Sequence, residues 1–532
     1  MAARGSSFTL MALLMLNILA LAQSNLKRKN LKNVLFISID DLRPELGTYG
    51  HNTIKSPNID ALAAKSIVFE RAYCQVAVCS PSRASMLTGR RPDTNHVWKI
   101  ADDEYWRYYT NATTIPQYFK ENGYVSIGMG KIFHHGQSGG FDDKQYSWSL
   151  PYYHSPLQQA NYTSSWWSFE GYEDHQLPDG EIADRAICAL KELKLNRTKG
   201  IDTPFFLAVG FHKPHLPFHA PKKYYDLYPT AEQVALPENP NVPLDFPPIA
   251  RGFGDITYYN DIRPYYYTAN CSTDVDASFH ECRIPDDHAR KLRRGYYACI
   301  SYIDTLVGKM VRELEDLDMA DDTIIVLWSD HGWHLGEHNH WAKQTNFEDA
   351  IRVPLVIRVP GKTDKGIRTN ALVELIDIFP SITELAGLKV PPLCPVQNNN
   401  LLTCVEGTTV TPLIQSPNRP WKKAAFSQFP RPWTGMTAIP DKPPFSGDEH
   451  QEDVMGYSIR VDNFHFIEWY SFDRITAKPD WTDIWGTELY QHIVHHEPFN
   501  NENFNLAFEP EMQDIVKELR QMLHDGWRAA QP

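Results

Sequence analysis

The chain has 532 residues, 42% hydrophobic and 22% charged, a balance that excludes a disordered or low-complexity protein and leaves room for one large domain with a smaller companion. Its formal charge of −13 with histidine neutral argues against nucleic acid as a partner. The 21 histidines are enough to reverse that sign if all were protonated, so an acidic compartment would reshape the surface field and ease a meeting with a polyanion.

Taken in chain order, the first segment is a leader. Arg4 supplies a positive start, Phe8 to Leu21 an apolar core, and Ala20-Leu21-Ala22 a small-x-small cleavage site, so residues 1–22 are expected to be a signal peptide. No later stretch is apolar enough to cross a bilayer, and the mature chain is expected to be lumenal or secreted with no membrane anchor. Four Asn-x-Ser/Thr sequons, at Asn111, Asn161, Asn196 and Asn270, agree with that route. The eight cysteines are too irregularly spaced for a disulfide scaffold. Cys271/Cys282 and Cys394/Cys404 each bracket a short polar loop and are the expected bridges, whereas Cys188 and Cys299 fall in helical patterns as buried thiols.

Val34 to Ile39 is a short, β-branched apolar run, the mark of a buried strand, and it ends in Asp40 and Asp41. A helix starts at Pro57, and another begins near Pro116 and closes at Gly123 ahead of a strand from Val125. The run Pro204 to Phe211 leads into His212 and His215. Cys299, Ile303, Leu306, Met310 and Leu314 mark an amphipathic helix that feeds a strand, Ile324 to Trp328, with Asp330 and His331 just beyond it. Apolar strands separated by helices, each delivering polar residues past its carboxyl end, predict an α/β fold with a mostly parallel sheet and its ligand site at those ends. Beyond about Leu393 prolines become dense, and Val454 to Tyr470 alternates as an antiparallel pair would. The expected organisation is a catalytic domain over residues 23–425 and a smaller C-terminal α+β subdomain over 426–532. The polar loop between Pro440 and Asp453 is a plausible site of proteolytic nicking.

Asp40-Asp41 and Asp330-His331, at two strand ends of one sheet, could converge on a hard divalent cation, for which oxygen-rich donors favour Ca²⁺ or Mg²⁺ over zinc. His334 and His338 are four apart, but Gly332 and Gly336 place them in a loop and not on a zinc-binding helix. Cys79, with Pro81 and Ser82 after it, is expected at a helix start. A nucleophilic thiolate there is one reading. It explains neither the paired acidic strand ends nor the company of Pro81 and Arg83.

The stretch CSPSRASMLTGR, Cys79 to Arg90, resembles position by position the signature C-x-P-S-R-x-x-x-L-T-G-R of the sulfatase family. The resemblance implies an alkaline-phosphatase-like fold and oxidation of Cys79 to Cα-formylglycine by the formylglycine-generating enzyme. One hydroxyl of the hydrated aldehyde would attack sulfur and the other would expel sulfate. The same resemblance assigns Asp40, Asp41, Asp330 and His331, with the modified Cys79, to one calcium ion per chain. It assigns Arg83 to steadying the formylglycine, Lys131 and His134 to its diol, and His215 and Lys343 to the sulfate. Further stretches, among them GFHKPHLPF and DHGWHLGEHNHWAK, are similar to a lysosomal branch of the family. Those enzymes remove the 2-O-sulfate of non-reducing-end iduronate from heparan and dermatan sulfate, and the chain would act as a monomer. Departures from that branch include Gln344, where an aromatic residue near the sugar is expected, and the last 40 residues. The competing functions are a sulfatase for another sugar, a phosphoester hydrolase, which would want Ser or Thr at position 79, and a catalytically silent glycan binder, which should have lost a site residue.

Overall fold

The computed structural model describes residues 31–101, 104–157, 165–168, 171–251, 256, 259–262, 283–396, 401–432, 453–492 and 502–532. The leader, the Cys271/Cys282 pair, the sequons at Asn161 and Asn270, and the loop 440–452 lie outside these residues. Seven strands form the main sheet: β1 Asn33–Ile39, β2 Ile67–Tyr73, β3 Val125–Gly130, β4 Phe205–Phe211, β5 Thr323–Ser329, β6 Arg352–Arg358 and β7 Ile367–Glu374. Their order is β7-β2-β6-β5-β1-β4-β3. The run β5-β1-β4-β3 is parallel throughout, while β6 runs antiparallel to both of its neighbours.

Strand pleating sorts the core into two faces. Leu35, Ile37 and Ile39 point one way, onto α2 Pro178–Thr198 and α3 Asp286–Asp316. Val34 and Phe36 point the other way, onto α1 Cys79–Thr88 and residues of the helices around Ile115 and Ile378. Every side chain of β1, β4 and β5 is buried, which is why these strands read as unbroken apolar runs with no alternation.

A second, antiparallel sheet contains β8 Ala425–Arg431, β9 Val454–Arg460, β10 Phe464–Asp473 and β11 Lys478–Gln491, paired in that order. Helix α4 Gln513–Asp525 covers one face of it through Val516, Leu519 and Leu523. The architecture is thus α/β, a helix-flanked and mostly parallel sheet with a smaller antiparallel one beside it. Cys394 and Cys404 are joined in a disulfide. Cys299 is buried as expected, but Cys188 is exposed: α2 packs on the sheet through Ile182, Ala183, Ala186 and Leu190, and Cys188 falls outside that stripe. No helix among the described residues is long and apolar enough to cross a membrane.

Candidate active site

Four adjacent parallel strands end at one edge, and each delivers chemistry there. β1 is followed by Asp40 and Asp41, β5 by Asp330 and His331, β4 by His212 and His215, and β3 by Lys131 and His134. Gly130 and Gly210 let the ends of β3 and β4 close together. A Cβ on Gly130 would lie 2.0 Å from the Gly210 carbonyl oxygen, and one on Gly210 would lie 2.1 Å from that of Lys131.

Helix α1 brings the fifth component. Cys79 is its first residue, so the thiol sits at the positive end of the helix dipole. Pro81 falls in the first turn, where its missing N–H would have had no helical partner. Gly89 ends the helix at φ 66°, the left-handed conformation that glycine adopts without cost. The signature is therefore also a helix with its start and stop written in.

Asp40, Asp41, Arg83, Asp330 and His331 are fully buried. Arg83 ties the carboxylates together: its Nε donates to Asp330 Oδ2 at 2.8 Å and its Nη2 to Asp40 Oδ1 at 2.9 Å. Its Nη1 donates to Ser38 Oγ at 3.0 Å and to the carbonyls of Lys131 and Ile132. Lys131 Nζ is 2.5 Å from Asp40 Oδ2, and Lys343 Nζ is 2.8 Å from Asp41 Oδ1. These ammonium groups flank the Cys79 sulfur, Lys343 at 3.2 Å and Lys131 at 3.6 Å. His331 Nε2 lies 3.4 Å from the same sulfur and 3.2 Å from Asp41 Oδ1. Its Nδ1 donates to the Gly332 carbonyl at 2.8 Å, which leaves a lone pair on Nε2.

The charges are unevenly balanced. Burial raises Asp40, but Lys131 and Arg83 outweigh it and hold the carboxyl well below the usual range. Asp41 is held well above that range by burial, with Asp40 and Asp330 adding repulsion against the pull of Lys343. Burial also pushes the Cys79 thiol up, with Asp40 reinforcing it, so as a cysteine it stays protonated. Burial, opposed by Asp330, pulls His331 down to about 4. His134 and His215 are likewise held well below the ordinary imidazole value, chiefly by burial.

The carboxylates fit a hard divalent cation. One ligand atom each from Asp41, Cys79, Asp330 and His331 lie within 4.8 Å of one another, as do those of Asp40, Asp41, Cys79 and His215, the Cys79 sulfur standing where an oxygen of the converted residue would lie. Asp41 Oδ2 is buried with no hydrogen-bond partner, an oxygen whose cost a cation would remove. Tyr296 holds the strand end in place, its hydroxyl donating to the Asp41 carbonyl at 2.7 Å and accepting from Arg43 N at 3.0 Å.

A cleft of about 830 Å³ opens over this cluster. Asp40, Cys79, Lys131, His134, His215 and Lys343 line it. So do His212, which the sequence placed at a strand end without a role, and His135 and His154, which it did not single out. His154, on an irregular loop, carries no local signal. His134 lines the wall with its Nδ1 on Ser138 Oγ at 3.0 Å, and His215 Nε2 stands 3.8 Å from Asp41 Oδ2. Gln344, the departure noted above, is buried, 3% exposed.

The sulfatase family profile matches residues 32–388, and the chain belongs to that family: it is a sulfuric ester hydrolase. It is 39% identical over 521 residues to iduronate 2-sulfatase of Mus musculus, covering 88% of this chain and 90% of that one. The identity to iduronate 2-sulfatase of Homo sapiens is 38% over 521 residues, with the same coverages of 88% and 90%. Among solved structures, a phosphonate monoester hydrolase from Silicibacter pomeroyi superposes with a TM-score of 0.64 at 20% identity, over 93% of this chain and 95% of that one. A structure described as a 2-O GAG sulfatase superposes with a TM-score of 0.60 at 17% identity, over 93% and 91%. At those identities the likeness speaks to the fold.

Proposed function

We propose that the protein is an exosulfatase that hydrolyses the 2-O-sulfate of non-reducing-end iduronate in heparan and dermatan sulfate. It would reach the lysosome through the secretory pathway. The observation that carries the substrate is the 39% identity to an iduronate 2-sulfatase over 88% of the chain. The basic lining of the cleft suits a ligand bearing both a sulfate and a uronate carboxylate.

Cys79, once oxidised to formylglycine, would supply a hydrated aldehyde whose hydroxyl attacks sulfur. A calcium ion held by Asp40, Asp41, Asp330 and His331 would offset charge on the sulfuryl oxygens. The remaining work falls to the chain's own side chains. Lys131 and Lys343, preorganised by Asp40 and Asp41, stand on two sides of position 79, where negative charge grows. Arg83, locked by two carboxylates, keeps the base of the site from moving. His134, held neutral by burial and by Lys131, is able to take a proton at the nucleophile. His215, also neutral at rest, would gain basicity when a sulfate anion arrives and could then protonate the leaving oxygen.

The test is sulfate release by protein from cells that make formylglycine. A disaccharide with 2-O-sulfated iduronate at its non-reducing end should be cleaved, and one ending in 6-O-sulfated glucosamine should not. Preference for the second would move the assignment to another sugar.

A further inference from the structure

The loop that follows Asp330 buries a second group of metal-ligating atoms, which the reaction does not use. His334, His338 and Asp349 each offer one such atom, all within 4.8 Å of one another. Asp349 Oδ2 lies 3.9 Å from His334 Nδ1 and 3.9 Å from His338 Nδ1. These distances are too long for hydrogen bonds. All three side chains are at most 3% exposed, and all three atoms are without a hydrogen-bond partner. Three orphaned polar atoms facing one another in the interior is a costly arrangement, unless something sits between them.

The far side of each group is engaged, as the outer shell of a metal site requires. His334 Nε2 meets Thr345 Oγ1 at 2.8 Å, and Arg43 Nη2 donates to Asp349 Oδ1 at 3.0 Å. His338 Nε2 is 2.9 Å from the Asn239 side-chain amide. The Asn239 Oδ1 is itself buried without a partner, so a half-turn of that amide lets Nε2 donate to it and frees the Nδ1 lone pair. Phe347 stacks on the His338 ring at 4.5 Å, and Glu45 and Glu337 offset the charge of Arg43. Burial holds His334 near 3 and His338 near 4, so both rings carry lone pairs at any physiological pH.

With both Nε2 atoms donating outward, the gap is faced by two imidazole lone pairs and the Asp349 carboxyl. Burial, outweighing Arg43 and reinforced by Glu337 and Glu502, holds that carboxyl well above its usual range, and a cation in the gap would supply the positive charge it lacks while engaging all three atoms. Two imidazole nitrogens and one carboxylate oxygen form a softer set than the oxygen-rich active site, suited to zinc and its neighbours and not to calcium. A second cluster, Glu348, His465, His492 and Glu502, makes the contrast: Glu502 already pairs with both histidines, and Arg460 with Glu348.

We infer that His334, His338 and Asp349 form a second, structural site for a divalent transition-metal ion of the zinc class. It clamps the turn after β5 against the segment that carries Asp349 into β6. Ligand–ligand separations of 3.9 Å need to shrink by only some tenths of an ångström to meet Zn–N and Zn–O bonds of about 2 Å.

The test uses the full chain, produced with zinc supplied, dialysed and analysed for metals. About one zinc per chain is expected beside any calcium, at least about tenfold less in His334→Gln and Asp349→Asn. Co²⁺ in place of zinc should give visible ligand-field bands in the wild type, so the site is readable even where a variant fails to fold. Wild-type protein with neither zinc nor cobalt bands would leave the gap without a metal and overturn the inference. Zinc undiminished in folded variants would place the ion elsewhere and overturn it equally.

Discussion

Arg83 is the residue on which the buried charges of the site depend. It meets Asp40 and Asp330 at 2.9 and 2.8 Å with no solvent to share the load. Arg83→Ala leaves two buried carboxylates facing each other, and the expected loss is about 3–5 kcal/mol of stability, read by chemical denaturation. Lys343→Ala removes the buried partner of Asp41 and should cost stability as well as lower kcat by about 10²–10³, so kcat is compared on folded protein. Metal-free protein should melt earlier, and added Ca²⁺ should raise Tm in a concentration-dependent way. The members of this site were legible in the sequence where a local rule applies: strand ends for Asp40, Asp41, Asp330 and His331, and a contiguous signature for Cys79 and Arg83. Lys131 and Lys343 were reached by resemblance, since nothing in the local spacing of a lysine says that it will be buried beside a carboxylate. His154 and Asp349 were not reached, because only tertiary folding brings them to their partners.

Elements were legible to the degree that both faces are buried. β1, β4 and β5 stand out as apolar runs, and α3 shows its stripe. The start of α3 at Asp286 did not stand out, because its first turn is acidic and polar; those aspartates favour the helix N-terminus electrostatically. The antiparallel direction of β6 was likewise hidden, since an apolar run carries no arrow. One contact between elements has a measurable pH signature. Asp304 of α3 accepts from the Asn58 and Ile59 amides at 3.0 and 2.7 Å, capping the helix Pro57–Ala63. Burial, partly offset by these bonds, raises its carboxyl from 3.8 to about 6. The folded chain therefore holds that proton more tightly than the unfolded chain. The resulting stabilisation is complete below about 4 and is lost as pH rises through about 6. Asp304→Asn should flatten the stability profile in that window by roughly 3 kcal/mol, measured by urea unfolding at several pH values.

Over the whole molecule, the histidine count promised more than the fold delivers. His134, His215, His331, His334, His338, His340 and His492 are all held below the ordinary imidazole value, mainly by burial. Their protonation does not recharge the surface at mildly acid pH, and a gain in polyanion affinity there must come from the remaining histidines. The second sheet also reaches the segment that follows Lys343. Arg431, fully buried on β8, donates to the carbonyl of Gln344, next to Lys343 in sequence, and to those of Ile249, Ala250 and Arg251. Arg431→Gln should cost about 2–3 kcal/mol and lower kcat more than it changes KM, since it loosens the backbone beside Lys343. The central claim is that position 79 does its chemistry as an aldehyde and not as a thiol. The most direct measurement is mass spectrometry of the Cys79 peptide from protein secreted by cells with the modifying machinery. A loss of about 18 Da from the cysteine form is the expected result; an intact or disulfide-bonded cysteine in active enzyme would contradict it.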